Sequence, residues 1–267
     1  MAGAPEFRRP WLDQVALDPR GEKLGEIVTL SPPLSSKSID SSGSANWVSR
    51  ECGYRRQSRA NFRARQLSGA GSGCFPQRRC AGMCTPAGRL VIINQVHGRD
   101  VVNANEATAE SSGDVIVDYG DGFAVAVLVA DCLPILLVDE DSPTLAVVHA
   151  GWRGLRSNVL ESALENFEHH DAVHAFLGPC VSKDTYQIGP EVAEHFTNVP
   201  GAVTPDTGDR SRLDLRQVAA AQLLALGLTD DHVTVATQST DGGTTFFSDR
   251  AQRPCGRFAL VARRVIA

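Results

Sequence analysis

Three residues whose side chains commonly bind transition metals each close an apolar run of the sequence. His97 follows Val-Ile-Ile-Asn-Gln-Val, Cys132 follows Val-Leu-Val-Ala-Asp, and His149 follows Leu-Ala-Val-Val. Such runs predict strands, and side chains at strand ends point into the clefts where sheet proteins build their sites. Two imidazoles and one thiolate make a tetrahedral zinc site with a free fourth position, as a catalytic zinc requires. We therefore predict a catalytic metal centre at these three residues.

The alternative interpretation is that these residues are simply packed in the interior. For each one taken alone this is the better interpretation, since cysteine is among the most buried residue types. Gly98 follows His97 and Gly151 lies two residues after His149. Because glycine allows a backbone or a ligand to come close, these two positions favour the metal site.

Two charged residues lie next to the predicted ligands. Asp131 directly precedes Cys132 and could orient a metal ligand or act as a general base, although a turn residue at a strand end would look the same. Arg153 follows a Gly-Trp pair at a predicted helix N-terminus. An arginine beside free N–H groups suits phosphate, whereas the alternative is an arginine exposed on the first helical turn.

The composition changes sharply along the chain. Residues 37–90 contain ten basic and two acidic residues, whereas residues 91–267 contain 12 basic and 24 acidic residues. We divide the chain into an N-terminal segment, 1–28, an atypical basic Ser/Gly/Arg/Cys-rich segment, 29–87, and a patterned domain, 88–267. The basic segment could be a disordered arm, a second metal site, or the out-of-frame product of a GC-rich gene. Its four cysteines lack the paired spacing of structural zinc sites, which argues against a second metal site. We favour the last hypothesis, because an Arg/Ser/Gly/Cys-rich, acid-poor sequence is what a GC-rich gene gives when it is read in the wrong frame.

The bulk composition indicates a soluble globular protein. Hydrophobic residues make up 42% and charged residues 21%, and the longest apolar run ends at Asp131. No secretory signal is recognisable, so we expect a cytoplasmic protein whose cysteines are thiols or metal ligands. We expect neither a membrane nor a nucleic-acid partner, and a monomer or a weak homodimer.

The domain 88–267 mixes strand patterns with helix patterns. Helical spacing begins after His149, a short helix is predicted over 190–196, and Asp214 is a good N-cap for a helix closed by Gly227. His169, His170 and His174 cluster at a predicted helix end, where they complement the helix dipole more simply than they bind metal. Strands are predicted over 91–96, 101–102, 123–129, 135–138, 145–148, 173–177, 233–236 and 258–261. The pattern predicts an α/β fold with a mixed sheet core flanked by helices.

Several motifs in this order resemble those of a known family. They include Asn94-Gln-Val-His-Gly98, Ala130-Asp-Cys-Leu-Pro-Ile135, His149-Ala-Gly-Trp-Arg-Gly154, Leu177-Gly-Pro-Cys-Val181 and Phe246-Phe-Ser-Asp-Arg250. Over about residues 88–264 the chain resembles the YfiH family, often labelled laccase-domain or multicopper polyphenol oxidase proteins.

The resemblance implies a single YfiH-like domain that acts as a zinc-dependent purine nucleoside phosphorylase of broad specificity. Its substrates would be phosphate with adenosine, inosine or methylthioadenosine, and it would also deaminate adenosine. By this resemblance the metal ligands are His97, Cys132 and His149. The catalytic residues are Asp131, Cys132 and Arg153. The residues that contact the substrate are Arg153, Tyr186 and Arg250. The chain departs from the family at Tyr186-Gln-Ile-Gly189, which loses a carboxylate, and at Phe247-Ser-Asp-Arg-Ala251, which loses an arginine.

Four alternatives remain open from the sequence. The family has been connected with editing of peptidoglycan precursors, which would make the chain a hydrolase, and a member with an unsupported site would be inactive. A cysteine hydrolase would use Cys132 as nucleophile and a histidine as base. A copper-dependent, laccase-like oxidase is disfavoured, although copper could occupy the site: a multicopper enzyme needs about ten ligands, mostly histidines, and the chain has 7 histidines and no His-x-His pair.

Overall fold

The computed structural model describes residues 26–31, 66–68, 84–85, 88–240, 246–253 and 255–264, with side chains from Leu90 onward. The described α-helices are α1 Trp152–Arg156, α2 Val159–Leu164, α3 Pro190–Ala193 and α4 Leu215–Ala225, with 3-10 helices at His170–Ala172, Glu194–Phe196 and Asp230–His232. The described strands are β1 Glu26–Ser31, β2 Gln66–Ser68, β3 Cys84–Thr85, β4 Gly88–Val91, β5 Val101–Asn103, β6 Val115–Asp118, β7 Ala124–Val129, β8 Leu133–Asp139, β9 Leu145–Ala150, β10 Val173–Leu177, β11 Gln187–Ile188, β12 Val203–Pro205, β13 Ser211–Leu213, β14 Val233–Val235 and β15 Phe258–Ala262.

The described strands form two six-stranded sheets and a small third one. The first has the order β2-β1-β15-β7-β4-β3, the second β14-β10-β8-β9-β6-β5, and the third β11-β13-β12. Both large sheets are mixed: β7 is antiparallel to β15 and parallel to β4, while β8 is antiparallel to both β9 and β10 and β5 is parallel to β6. The predicted α/β fold with a mixed sheet is confirmed.

The second sheet is the middle layer of the domain. One face packs against the first sheet through apolar residues such as Val127, Leu136 and Val147. The other face packs against α1, α2 and α4 through residues such as Leu137 and Leu160. Strand β8 is therefore buried on both faces, which explains why its sequence is almost continuously apolar. This central layer also carries the residues of the candidate site.

Two helix predictions differ in outcome. The predicted helix after His149 is divided into α1 and α2, because Asn158 between them adopts a left-handed backbone with φ of 61°. The predicted N-cap of α4 is confirmed, since Asp214 Oδ1 accepts hydrogen bonds from the N–H groups of Arg216 at 3.0 Å and Gln217 at 3.2 Å. The helix ends before Gly227, whose φ is 106°.

The strand predicted over 91–96 is wrong beyond Val91. Asn94 instead pairs with the loop at Ser111–Gly113, and the Gln95 side chain bonds the N–H and the C=O of Leu128 at 2.7 and 2.8 Å. The side-chain amide of Gln95 thus makes the hydrogen bonds to β7 that a further main-chain residue of β4 would make. The main chain itself leaves the sheet before His97. Sequence analysis also missed β6, a short buried strand next to β9.

The predicted segments 1–28 and 29–87 lie mostly outside the described residues. Within them the structure describes the main chain of β1, β2 and β3, and β1 pairs with β15 in the first sheet. The three interpretations of segment 29–87 stay hypotheses. Among the described residues, none of the helices is long and apolar enough to cross a membrane.

Candidate metal centre

The three predicted ligands come together from three different segments. Cys132 lies in the tight turn between β7 and β8, His149 lies in β9, the neighbour of β8, and His97 lies in the loop that follows β4. Their donor atoms all lie within 4.8 Å of one another, with 3.8 Å between Cys132 Sγ and His97 Nε2. The imidazole rings of His97 and His149 meet edge to face, with centroids 4.7 Å apart.

A buried carboxylate that sequence analysis missed holds two of these ligands. Asp114, directly before β6, is fully buried and its Oδ1 lies 2.7 Å from Nδ1 of His149. The same carboxylate accepts hydrogen bonds from the main-chain N–H groups of His97 at 2.9 Å and Gly98 at 2.6 Å. It therefore fixes the loop that carries His97 and leaves Nε2 of His149 for a metal.

These hydrogen bonds keep Asp114 ionised. Burial alone would raise its pKa, but the hydrogen bond from His149 and those from the N–H groups of Gly98 and His97 outweigh burial and lower the pKa below its usual value. A buried negative charge next to His149 in turn favours a positively charged partner, which a metal ion or an imidazolium can supply.

The thiol and the buried imidazole influence each other strongly. Burial would raise the pKa of Cys132, but hydrogen bonds and charge from His149 and His97 lower it to about 6. Burial would lower the pKa of His149, but the hydrogen bonds of Asp114 and Cys132 raise it to about 9. Near neutral pH the metal-free site therefore holds a thiolate beside an imidazolium.

The backbone around the centre is shaped for close approach. A side-chain carbon at Gly151 would lie 3.1 Å from Cys132 Sγ and 3.2 Å from a ring carbon of His97, so a larger residue would crowd both ligands. His97 and Asp131 adopt left-handed backbone conformations with φ of 61° and 85°. Such conformations are uncommon outside glycine and tend to occur at functional sites, as they do here.

The donor set fits a single metal ion. Thiolate with imidazole is a ligand combination used by zinc, and three protein donors leave the fourth tetrahedral position open. Over the part of the chain that the structure describes, this is the one group of three or more His, Cys, Asp or Glu residues placed to hold a metal.

An open pocket of about 90 Å³ leads to the centre. Arg153, predicted as a phosphate contact, lines it with its guanidinium 4.6 Å from the centroid of the Trp152 ring. Arg250 lies beside the lining, 5.0 Å over the Tyr186 ring. The described residues lining the pocket are His97, Asp131, Cys132, Gly151, Trp152, Arg153, Val181, Tyr186 and Leu215.

Both arginines are exposed, and no carboxylate pairs with either guanidinium among the described residues. The hydroxyl of Tyr186, which also lines the pocket, stays protonated, because burial and the nearby charge of Cys132 raise its pKa to about 12. Among the residues that the structure describes, the rim thus offers two cations without a carboxylate partner and one hydrogen-bond donor, which suits an anion. The helix α1 has only five residues, so the anion site rests on the arginines rather than on a helix terminus.

The other histidines have partners away from the centre. His170 contacts the carbonyl oxygens of Leu164, at the end of α2, and Leu226, at the end of α4, at 3.1 and 2.8 Å. His174 pairs with Glu140 at 3.3 Å and stacks on His232. His170 therefore lies at helix ends as predicted, whereas the prediction is wrong for His174, which is buried within β10.

The fold and the site together define a mixed-sheet protein with a His/Cys/His group that could hold a metal ion. The family model described as "Multi-copper polyphenol oxidoreductase laccase" matches residues 76–264, which begins before the resemblance at about residue 88. The chain belongs to this laccase-domain family, whose members include proteins named YfiH.

Curated relatives carry the name purine nucleoside phosphorylase. The Mycobacterium tuberculosis protein is 34% identical over 189 residues, covering 68% of this chain and 75% of the relative. The Escherichia coli YfiH protein is 33% identical over 178 residues, covering 63% and 71%.

Solved structures agree with the fold. A Neisseria meningitidis protein has 31% identity and a TM-score of 0.61, with 66% of this chain and 75% of that one covered. YlmD from Geobacillus stearothermophilus, at 24% identity, has a TM-score of 0.59 and covers 72% of this chain and 76% of its own.

Replacing Asp114 by asparagine tests its hold on the ligands. Asp114→Asn removes the charge and places an N–H₂ group against N–H donors, so zinc affinity should fall by about 10- to 100-fold. Competition with a chelating dye measures the affinity, and circular dichroism checks folding. Asp100→Asn, at a nearby exposed position, is the matched control and should bind zinc normally. Native-like Asp114→Asn protein with unchanged affinity would show that this carboxylate does not support the site.

Zinc binding should release protons in a pH-dependent way. The ligands must be a thiolate and a neutral imidazole, and near neutral pH the metal-free His149 carries a proton that zinc must displace. We expect zinc to displace the proton of His149 up to about pH 9, and that of the Cys132 thiol as well below about pH 6. The logarithm of the affinity should accordingly rise with pH up to about 9. Calorimetry in buffers of different ionisation enthalpy measures the release, and no release at neutral pH would contradict a charged His149.

Proposed function

We propose that the chain is a zinc-dependent purine nucleoside phosphorylase that cleaves adenosine, inosine and methylthioadenosine with phosphate. The observation that carries the proposal is the placement of an open His/Cys/His group in one pocket with two guanidiniums at its rim that have no carboxylate partner among the described residues. The names of the relatives, purine nucleoside phosphorylase, support phosphorolysis of a purine nucleoside.

The rim residues would bind the phosphate. Arg153 and Arg250 would each give charge-assisted hydrogen bonds, and the protonated Tyr186 hydroxyl would add a third donor. Both guanidiniums lie over aromatic rings, which restricts the arginine side chains before the anion arrives. This arrangement lowers the cost of ordering two long side chains around a small ligand.

The pocket walls would hold the nucleoside. Trp152 and Tyr186 supply aromatic faces and Val181 and Leu215 supply apolar surface, as a flat purine requires. With the phosphate at the arginines, one of its oxygens would attack C1′ of the ribose. The C1′–N9 bond then breaks, and its electron pair leaves with the purine, which takes up a proton. Holding both substrates in one pocket makes this step effectively unimolecular.

The three ligands would hold the zinc ion at the inner end of the pocket. His97, Cys132 and His149 supply the donors, and Asp114 keeps the His149 ring in the orientation that presents Nε2. When bound, zinc supplies Lewis-acid stabilisation of a substrate oxygen. The same centre supports the proposed adenosine deaminase activity, in which water replaces the 6-amino group and ammonia leaves.

A laccase activity fits the site less well. Within residues 88–240, 246–253 and 255–264 the structure brings together one three-donor group, whereas a multicopper oxidase needs several copper sites. Copper could still bind the single group, so activity measured with each metal separates the two cases.

One observation favours a cysteine hydrolase as the second candidate. In the metal-free site Cys132 is a thiolate beside His149, and His149 is hydrogen-bonded to Asp114. A Cys-His-Asp triad has the same arrangement of nucleophile, base and carboxylate. A bound metal would occupy the thiolate, so zinc should protect Cys132 from alkylation by iodoacetamide. Zinc-loaded protein that is alkylated as fast as metal-free protein would favour the hydrolase.

The decisive assay measures release of hypoxanthine from inosine. Zinc-loaded protein should release it only with phosphate, together with an equal amount of ribose 1-phosphate. His149→Ala and the more exposed His97→Ala should each lower kcat by at least about 100-fold, whereas His195→Ala, remote from the site, is the matched control. Arg153→Ala should raise the KM for phosphate by about 10- to 100-fold through the lost charge-assisted hydrogen bonds.

Two results would contradict the proposal. The first is hypoxanthine release at the same rate without phosphate, which indicates a hydrolase. The second is full activity in folded His149→Ala and His97→Ala proteins, because the metal ligands would then have no part in the reaction.

A further inference from the structure

The carboxylate of Asp131 already has a partner on each of its oxygens. Oδ1 accepts a hydrogen bond from the hydroxyl of Thr240 at 2.6 Å, and Oδ2 accepts one from the main-chain N–H of Arg250 at 2.8 Å. The main-chain oxygen of Asp131 also accepts from the N–H of Val181 at 3.0 Å. Three segments that are distant in sequence are thus tied to the residue next to a metal ligand.

Thr240 is fully buried and held in turn by the site's framework. Its N–H donates to the carbonyl oxygen of Cys180 at 3.0 Å, beside Val181 of the pocket wall. A buried hydroxyl hydrogen-bonded to a carboxylate fixes the orientation of that carboxylate. With the carboxylate held in this way, its Oδ2 accepts the hydrogen bond of the Arg250 N–H in a defined direction.

The left-handed backbone of Asp131 directs its side chain and that of Cys132 to different partners. The φ of Asp131 is 85°. In this conformation Cys132 Sγ lies beside His97, while the Asp131 side chain contacts Thr240 and Arg250. Aspartate and asparagine are the residue types, after glycine, that adopt this conformation most readily. A short acceptor side chain is therefore what the position requires.

We propose that Asp131 and Thr240 are positioning residues that place the Arg250 segment so that its guanidinium lies over Tyr186 and binds the anionic substrate. The inference rests on the proposed function for its substrate, inorganic phosphate. In this role both oxygens of Asp131 accept hydrogen bonds that hold the rim, and no proton transfer is assigned to it.

Two pairs of variants test this role. Thr240→Val removes the hydroxyl at nearly constant volume and should raise the KM for phosphate by about fivefold to tenfold while changing kcat less than about threefold. Thr240→Ser restores the hydroxyl and should restore the KM. Thr144→Val, another buried threonine in the turn between β8 and β9, is the matched control for the loss of a buried hydroxyl.

Asparagine at position 131 separates positioning from proton transfer. Its oxygen can accept from the Arg250 N–H and its amide can donate to the Thr240 hydroxyl, so both contacts survive. Asp131→Asn should therefore lower kcat by less than about tenfold, whereas loss of a general base costs about 100- to 10,000-fold. Asp131→Ala should raise the KM for phosphate at least as much as Thr240→Val does.

The affinity of each zinc-loaded variant for inorganic phosphate, measured by calorimetry, gives a readout that does not need turnover. Unchanged phosphate affinity in folded Thr240→Val protein, or a kcat loss of about 100-fold or more in Asp131→Asn, would overturn the inference. If the wild-type protein binds phosphate but cleaves no nucleoside, only the proposed function fails. The phosphate affinities of the variants then still test the positioning role of Asp131 and Thr240. Wild-type protein that binds no phosphate would overturn both.

Discussion

The metal centre depends on one buried carboxylate, Asp114. Burying a charge is unfavourable unless it is paired and fully hydrogen-bonded, and Asp114 meets this condition only when the His97 loop and the His149 ring are in place. One side chain thereby joins a loop beside the first sheet to a strand of the second. Cys132 is placed separately, by the turn between β7 and β8, whose Asp131 is bonded to Thr240 and to the main-chain N–H of Arg250. The ligand geometry is therefore set by the packed sheets before any ion binds.

From this inner group the site becomes more exposed and more positive toward its rim. His149 is buried and His97 exposed, while Arg153 and Arg250 lie at the outside without carboxylate partners among the described residues. Such a gradient suits the proposed phosphate at the rim and the proposed purine held against Trp152. In the part of the chain that the structure describes, one thiolate and two imidazoles form a single three-donor group that could bind zinc or copper, whereas a multicopper oxidase needs several copper sites.

The ligands could be predicted from sequence because each one sits in a local motif, as does the Asp214 cap of α4. Their supports could not be predicted, because the partners are far apart in the chain: Asp114 and His149 are 35 residues apart, and Asp131 and Thr240 are 109 residues apart. The strand predicted over 91–96 fails beyond Val91 for the same reason, a partner that is distant in the sequence. Its apolar pattern is real, but the Gln95 amide takes up the hydrogen bonds of Leu128, which only the folded arrangement reveals.

X-ray absorption at the zinc edge of the loaded protein tests the central claim, a single open Cys/His₂ centre, most directly. The account predicts one zinc per chain with one sulfur at about 2.3 Å, two imidazole nitrogens at about 2.0 Å, and one further light-atom ligand that is exchangeable. A shell with no sulfur, or with two or more sulfurs, would show that the metal binds elsewhere and would contradict the account.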